Sequence, residues 1–259
     1  MIRALAGGGF RIYFLFVTSD STGTLYLIPT ALGPAGDAGC VDERVREIVR
    51  SLDGLVAESR KGALLFLRTA GSMDRSGTMP IRLLNEHSRP ADLEDLIEPV
   101  AQGGPWGLVS DTGCPAVADP GAGLVRLAHQ KGIRVRPLAG PSAVLLALMA
   151  SGLNGQRFVF HGYLSRIAQD RKKQIKEMAA DCKRNDRTHL WIETPYRNLA
   201  VFDDLIRHVE PSLHLCLAVD LTLPTEDIRT RTVGGWRAAS KPDLKDRPAV
   251  FLLGRPAMI

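Results

Sequence analysis

Short apolar runs alternate with helical patterns along most of this chain, and this alternation restricts the possible folds more than any other feature. Eight apolar runs predict strands, at residues 25–31, 55–58, 107–110, 134–138, 158–162, 188–193, 215–221 and 249–253. Six segments with helical spacing predict helices, at residues 42–52, 93–102, 122–130, 141–150, 169–182 and 197–208. Such alternation predicts an α/β fold with mixed, largely parallel sheets.

Cysteine usage and overall composition point to a cytoplasmic globular protein without a metal site. The chain has 259 residues, 45% of them hydrophobic, which is enough for one large core or two of ordinary size. Its four cysteines, Cys40, Cys114, Cys182 and Cys216, are far apart and form no CxxC pair. This spacing argues against zinc and against a disulfide framework, and it suits a reducing compartment.

The first 22 residues are predicted to be a nonessential or poorly ordered extension. Residues 10–17 are apolar, but they are barely long enough for a signal peptide and no small-residue cleavage site follows cleanly. They are also far too short to span a bilayer, so no membrane association is expected.

Positive charge is concentrated in the second half of the chain. The net charge is +5, and residues 111–259 hold 22 Lys and Arg against 15 Asp and Glu. Residues 166–187 alone contain eight basic residues and four acidic ones. This segment could contact nucleic-acid phosphates, or it could be the solvated face of a helix.

Two loops rich in Gly and Pro follow predicted strands. One covers residues 110–121 and begins Ser-Asp-Thr-Gly-Cys-Pro; the other covers residues 138–143. Open α/β sheets bind ligands at the carboxyl ends of their strands, so the two loops are expected to form one pocket. Asp119 to Gly121 is predicted to be a turn that begins the next helix, and Pro141 to occupy the first position of a helix beside Ser142.

The order of residues in these loops resembles the tetrapyrrole methylase superfamily, and within it the branch of small-subunit rRNA (16S) ribose 2′-O-methyltransferase I. Four further segments match that branch in order, at residues 57–60, 85–88, 191–197 and 219–222, so the resemblance runs from about residue 25 to the C-terminus. Several positions depart from it: Pro34 replaces an Asn, and Val219, Asp220 and Leu223 replace Arg, Glu and Lys. Residues 61–84 do not follow the pattern.

The resemblance implies a two-domain fold with the cofactor in the cleft between the domains, which we place at residues 23–138 and 139–259. It also implies S-adenosylmethionine as the methyl donor, rRNA or the 30S subunit as a partner, and a homodimer. The expected reaction is methylation of a ribose 2′-hydroxyl in small-subunit rRNA. A methyltransferase for a precorrin-like tetrapyrrole and a noncatalytic RNA-binding relative are the alternatives. The glycine spacing after the first strand does not fit a dinucleotide-binding fingerprint.

Candidate site residues follow from the matched positions. The expected cofactor-binding residues are Pro29, Gly33, Asp111, Gly113, Cys114, Ser142, Ala143, Pro195 and Ala218. The expected contacts with substrate RNA are Arg60, Lys61, Lys172, Lys173, Lys176 and Arg197. Of these, Lys61 is included because it neighbours Arg60, and the other three lysines because they belong to the basic segment 166–187. A ribose hydroxyl must lose its proton as it attacks, and the candidate bases are Glu58, Glu193 and His87.

Each candidate also has a structural interpretation. Asp111 could cap a turn, Glu58 could form an ion pair with Arg60, and His87 could be an ordinary loop residue. Glu193 could accept hydrogen bonds from the backbone of the loop that follows it.

Overall fold

The protein is built around two five-stranded sheets that follow one another along the chain. The structure is a computed structural model and describes residues 23–33 and 41–257. The predicted extension at residues 1–22 and the substituted position Pro34 lie outside the described residues. Among the helices of the described ranges, none combines the length and the apolar character that a membrane span requires.

The first sheet is entirely parallel and has the order β3-β2-β4-β1-β5. Its strands are β1 (Thr24–Leu27), β2 (Gly54–Ala57), β3 (Ile81–Leu83), β4 (Pro105–Val109) and β5 (Arg134–Pro137). Its helices are α1 (Glu43–Ser51), α2 (Arg60–Thr69), α3 (Asp92–Ala101) and α4 (Ala122–Gln130). Alternate strand residues face opposite sides. Leu55 and Ala57 therefore pack with α1 and α2, while Val56 packs with α3 and α4.

The second sheet is mixed and has the order β6-β7-β10-β8-β9. Its strands are β6 (Phe158–Tyr163), β7 (Thr188–Glu193), β8 (His214–Val219), β9 (Asp227–Thr232) and β10 (Ala249–Gly254). Its helices are α5 (Ala143–Ser151), α6 (Ala168–Asn185), α7 (Asn198–His208) and α8 (Val233–Ala238). Helices α6, α7 and α8 pack on one face and α5 packs on the other.

The predicted α/β fold is confirmed, with one difference in the second sheet. Only the β6–β7 pair is parallel there, and the other three pairs are antiparallel. The connection from Val219 to Asp227 is too short for the crossover that a parallel pair needs. Strand β9 therefore turns back beside β8.

Side-chain caps fix where several helices begin. Asp42 Oδ1 accepts the Val45 N–H at 2.8 Å, and Ser59 Oγ accepts the Gly62 N–H at 2.9 Å. The predicted start of α5 at Pro141 is wrong by two residues, because Ser142 has an extended backbone and is the N-cap. The predicted stop at Gly152 is confirmed, since this glycine has φ of 69° and ends the helix.

Four elements were not predicted from the apolar pattern. Strand β3 has only three residues, and the edge strand β9 reads Asp-Ile-Arg-Thr-Arg-Thr, so neither forms an apolar run. Charged edge strands are common because they discourage pairing between molecules. Helices α2 and α8 were also missed, and the polar segment 71–80 contains a short 3₁₀ helix at Met73–Gly77. The predicted domain boundary at residue 139 falls between β5 and α5 and stays a prediction.

Candidate active site

A cavity of about 560 Å³ is lined by residues from both halves of the chain. The first half contributes the loops after β1 and β4 and the start of α2. The second half contributes the start of α5 and residues of β6, β7, β8 and β10. Small-molecule sites usually measure about 300–1,000 Å³. The cavity is therefore large enough for a ligand of cofactor size, at the carboxyl ends of β1 and β4.

The loop at residues 110–121 is held in an unusual conformation at the edge of this cavity. The Thr30 N–H donates to the Gly113 carbonyl at 2.8 Å, and Cys114 Sγ donates to the Pro141 carbonyl at 3.4 Å. Ala116 and Ala118 have φ of 65° and 62°, a left-handed conformation that is unfavourable for alanine. Strain of this kind concentrates at functional sites, where the surrounding fold enforces it.

Three carboxylates, those of Glu58, Asp111 and Asp119, lie close enough to influence one another beside the cavity. Partial burial and the neighbouring charges of Glu58 and Asp111 raise the pKa of Asp119 to about 6, although a hydrogen bond from Ser110 acts in the opposite direction. Negative charges nearby disfavour the ionised form of the Asp119 carboxyl. The pKa of Asp119 is thus close to neutral pH.

Hydrogen bonds fix the position of Asp111. The Ser59 hydroxyl donates to Asp111 Oδ1 at 2.8 Å, and the Asp111 N–H donates to Glu58 Oε2 at 3.1 Å. Gly62 lies against the Asp111 carboxylate. A Cβ added to this glycine would stand 2.0 Å from Asp111 Oδ1. The start of α2 therefore supports the Asp111 carboxylate only if residue 62 has no side chain.

Gly62→Ala is expected to displace Asp111 and to weaken binding of S-adenosylhomocysteine by roughly tenfold, the scale of one charge-assisted hydrogen bond. Isothermal titration calorimetry measures the effect. Gly77→Ala is the matched control in the same half of the chain, because nothing lies within 4 Å of a Cβ there. Equal affinity in Gly62→Ala and the wild type would show that the position of Asp111 does not affect the ligand.

The start of α5 presents backbone N–H groups to the cavity. Ser142 Oγ accepts the Leu145 N–H at 3.4 Å, and Ser142, Ala143 and Val144 all line the cavity. The first N–H groups of a helix have no partner within it, and the helix dipole favours negative charge at that end. A carboxylate would be stabilised at this position.

The sequence is similar along most of its length to a named group of proteins. It is 32% identical over 234 residues to ribosomal RNA small subunit methyltransferase I of Escherichia coli O157:H7, covering 90% of this chain and 78% of that protein. It is 32% identical over 241 residues to the Haemophilus influenzae protein of the same name, covering 92% and 81%. The chain belongs to the ribosomal RNA small subunit methyltransferase I family. The family resemblance and the methyltransferase class predicted from the motifs are thereby confirmed, and a methyl donor is implied.

The fold of this methyltransferase is also found among solved structures. The crystal structure of the methyltransferase CobJ aligns with a TM-score of 0.57 at 20% identity, covering 90% of this chain and 94% of that chain. At this identity the likeness shows the fold alone. No family model matches the sequence.

Most of the residues expected to bind the methyl donor line the cavity of this family member. Eight of the nine do so: Gly33, Asp111, Gly113, Cys114, Ser142, Ala143, Pro195 and Ala218. The ninth, Pro29, is not part of the lining. It lies under the second loop, where a Cβ on Gly140 would come within 2.5 Å of Pro29 Cβ.

The three candidate bases occupy different environments. Glu58 accepts the Asp111 N–H and does not itself line the cavity, and its alternative ion pair with Arg60 does not form within the described residues. Glu193 lines the cavity, but its side chain is fully buried. His87 has a side chain that is 85% exposed, and it is not among the lining residues.

Glu193 forms a buried ion pair with Arg197. The distance from Arg197 Nε to Glu193 Oε2 is 3.3 Å, and Glu193 Oε1 accepts the Leu164 N–H at 3.3 Å. Burial raises the pKa of Glu193, and the Arg197 guanidinium partly opposes this shift. Arg197 also donates to the carbonyls of Leu164 and Ser165, so its guanidinium points into the protein.

The remaining candidates for RNA contact lie in two places. Lys61 lines the cavity at the start of α2, and the neighbouring Arg60 is exposed. Lys172, Lys173 and Lys176 lie on α6, away from its buried residues Arg171, Ile175, Met178 and Cys182.

The sequence interpretation underestimated Asp119 and missed Tyr163. Asp119 does precede the turn into α4, as predicted, but it also lines the cavity. Tyr163, at the end of β6, lines the cavity too, and burial together with Asp119 and Glu193 raises its pKa. The signal for Asp119 was its place in the 110–121 loop, whereas nothing local distinguished Tyr163.

Asp220, which departs from the family pattern, lies in the turn that follows β8 and has two hydrogen-bond partners. It accepts hydrogen bonds from Arg247 Nε at 2.8 Å and from the Thr225 hydroxyl at 2.7 Å. These bonds hold the turn between β8 and β9 beside the cavity. The carboxylate at this position therefore stabilises the loop.

Proposed function

We propose that this methyltransferase transfers the methyl group of S-adenosylmethionine to a ribose 2′-hydroxyl of small-subunit rRNA. The observation that carries the proposal is the cavity between the two halves of the chain, lined by the 110–121 loop and the start of α5, in a member of this family. The substrate class follows the name of the relatives and the resemblance of the motifs.

The residues around the cavity suit such a donor. S-adenosylmethionine supplies an electrophilic methyl carbon on a positively charged sulfur. The carboxylates of Asp111 and Asp119 line the cavity and favour a cation there by Coulomb attraction. The free N–H groups at Ser142 and Ala143 suit the carboxylate of the methionyl part, and apolar side chains such as Leu32 and Ile192 suit the adenine ring.

Asp119 is the residue we assign to accept the hydroxyl proton. A general base works best with a pKa close to the operating pH, and the pKa of Asp119 is raised to about 6. Glu58 was the first candidate from the sequence, but its carboxylate already accepts the Asp111 N–H. Glu193 is engaged by Arg197, and His87 does not line the cavity.

The proposed step is a single displacement. The ribose oxygen forms a bond to the methyl carbon while the bond from carbon to sulfur breaks, leaving S-adenosylhomocysteine. The hydroxyl proton passes to Asp119, which later releases it to water. Alignment of the reacting groups by the two loops supplies much of the rate, because orientation replaces a bimolecular encounter.

Labelled S-adenosylmethionine and 30S subunits test this function directly. We expect the label in one 2′-O-methylated nucleotide of the small-subunit rRNA, located by nuclease digestion and mass spectrometry. Label on a base would contradict the acceptor atom. Transfer only to a tetrapyrrole would favour the alternative substrate, and donor binding without transfer to either would favour a noncatalytic relative.

The lysines on the outer face of α6 are expected to contribute to RNA affinity. Replacing Lys172, Lys173 and Lys176 with Gln should weaken binding of 30S subunits and lower the slope of log affinity against log salt by roughly one for each phosphate that no longer meets a lysine. Binding measured at several salt concentrations gives the slope. The control removes three exposed charges from the first half of the chain, with Gln in place of Arg68, Arg126 and Arg134. Equal slopes in the two triple variants would make the lysines a solvated helix face.

Three further predictions accompany the proposed function. The division into domains at residues 23–138 and 139–259 agrees with the succession of the two sheets along the chain. The homodimer and the cytoplasmic location rest on the family resemblance and on the cysteine usage, and both stay predictions.

A further inference from the structure

A second hollow, which we call the arginine hollow, lies at the far end of the second sheet. It measures about 540 Å³ and is lined by Arg157, Arg184 and Arg187, with Gln156, Phe158, Asn185 and Asp186. The Asp186 carboxylate accepts a hydrogen bond from the Asn154 side-chain amide at 2.9 Å, so three cations face one acidic side chain. Phe158 begins β6, whereas Tyr163 at the other end of this strand lines the first cavity. At about 3.3 Å per residue the two sites are roughly 16 Å apart along the strand. The arginine hollow is therefore separate from the candidate active site.

The guanidinium groups in the arginine hollow retain free hydrogen-bond donors. Within residues 23–33 and 41–257, the Arg157 side chain has no hydrogen bond or ion pair. Arg184 and Arg187 lie 3.8 Å and 3.6 Å from Asp181, which is longer than a hydrogen bond. Asp181 is itself hydrogen-bonded to His189 Nε2 at 2.9 Å. Arg184 and Arg187 thus share one carboxylate at ion-pair distance, and all three guanidinium groups keep N–H donors for a ligand that brings acceptor oxygens.

An aromatic ring lies beside these cations. Phe158 is 42% exposed, and its ring makes no stacking contact with another aromatic side chain of the described chain. A free phosphate would use the arginines but would gain nothing from an exposed ring. Single-stranded RNA uses both, because its phosphates bind guanidinium groups and its bases stack on aromatic faces. The amides of Gln156 and Asn185 add donors and acceptors for a base edge.

A basic ridge on α6 connects the two sites. Its members are Lys172, Lys173, Lys176, Lys183 and Arg184. At about 100° per residue they fall within about 120° of the helix circumference. The first turn of α6 is linked to the candidate active site through Arg197, which donates to the Ser165 carbonyl together with Arg171 and pairs with the cavity residue Glu193. The ridge rises about 18 Å from its first member to its last, at about 1.5 Å per residue, and ends at the arginine hollow.

We propose that the arginine hollow anchors the RNA substrate by binding a phosphodiester and stacking one base on Phe158, at a distance from the nucleotide that is methylated. This inference rests on the proposed function, since it requires that the substrate is RNA. Binding at such a remote site lowers the free energy of the enzyme–substrate complex and of the transition state by the same amount. It therefore lowers KM and leaves kcat unchanged.

The test uses four new variants of the full chain, together with the α6 variant in which Lys172, Lys173 and Lys176 are replaced with Gln. The ligand is a fluorescent single-stranded RNA of about 15 nucleotides, close to the longest site of a single-strand binding module. Arg157→Gln with Arg187→Gln should lower the slope of log affinity against log salt by about 1.4, or about 0.7 for each arginine replaced. Phe158→Leu should raise Kd about tenfold, whereas Phe158→Tyr keeps the ring and should bind normally. Arg134→Gln removes an exposed charge from the first sheet and should change nothing. With 30S subunits the first two variants should raise KM at unchanged kcat.

The outcomes separate the anchor from the proposed function. Unchanged affinity in the arginine and leucine variants, with weaker binding in the α6 lysine variant, overturns the anchor and leaves RNA as the substrate. Weaker RNA binding by the arginine variant, with unchanged affinity in Phe158→Leu, overturns the anchor in favour of a site for phosphate alone. Absence of RNA binding by the wild type, together with no methylation of 30S subunits, overturns the proposed function as well. Melting temperatures equal to the wild type show that the variants are folded.

Discussion

Asp119→Asn is expected to slow methyl transfer by about 10²-fold to 10⁴-fold, the usual contribution of a positioned general base. The amide cannot accept the proton of the attacking hydroxyl. Binding of S-adenosylhomocysteine should persist, because its sulfur carries no charge for the carboxylate to attract. Single-turnover experiments with 30S subunits measure the rate of transfer, and calorimetric titration with S-adenosylhomocysteine measures binding.

The pH dependence should identify the same residue. Below its pKa of about 6, Asp119 is protonated and cannot accept a proton, so kcat/KM of the wild type should fall about tenfold per pH unit. This acidic limb should be absent from the residual activity of Asp119→Asn. A wild-type rate that does not change between about pH 5 and pH 8 would contradict the assignment.

The stability of the wild type should fall as the pH rises, whereas its activity should increase. The folded pKa of Asp119 lies above the value of about 3.9 in an unfolded chain, so the native state binds more protons and loses stability as the pH rises from about 4 to 6. Asp119→Asn should therefore melt at a higher temperature than the wild type at about pH 8, and at a similar temperature near pH 4.

Glu58→Gln is the matched control for the base. The amide oxygen of glutamine can still accept the Asp111 N–H, so the loop should keep its place and the rate should fall much less than in Asp119→Asn. The reverse order, with Glu58→Gln nearly inactive and Asp119→Asn active, would return the role of base to Glu58.

Arg197→Ala is expected to destabilise the protein by about 3–5 kcal/mol, because removing one partner of a buried ion pair leaves the other charge unpaired. The side chain of Glu193 is fully buried and that of Arg197 is 13% exposed. The substitution also removes hydrogen bonds to the carbonyls of Leu164 and Ser165, at 3.1 Å and 2.9 Å. Urea denaturation measures the loss.

A double variant that also neutralises Glu193 tests whether the unpaired buried charge causes the loss of stability. Adding Glu193→Gln to Arg197→Ala should recover part of the stability, since no unpaired charge is then buried. The loss in Arg197→Ala should also be larger at high pH than at low pH, because burial raises the pKa of Glu193 and protonation removes the penalty. If Arg197→Ala instead weakens RNA binding and leaves stability unchanged, Arg197 is an RNA contact, as the sequence predicted.

Local signals in the sequence were sufficient to predict much of the fold. The strand at Thr188–Glu193 and the helix at Ala122–Gln130 have the bounds that the apolar pattern predicted. Periodicity and turn residues act over a few positions, so they can be read from the chain directly. The missed strand β9 shows the limit, because a charged edge strand has no apolar run.

The sequence by itself determined the α/β alternation, the family and the two loops that line the cavity. The tertiary structure decided which side chains of those loops act together. Asp111 meets Glu58 across 53 positions of the chain, and Asp119 and Tyr163 reach one cavity from different sheets. It also turned Arg197 inward onto Glu193. Such contacts depend on how distant segments pack, and burial among them sets the pKa of Asp119, so no local pattern could predict them.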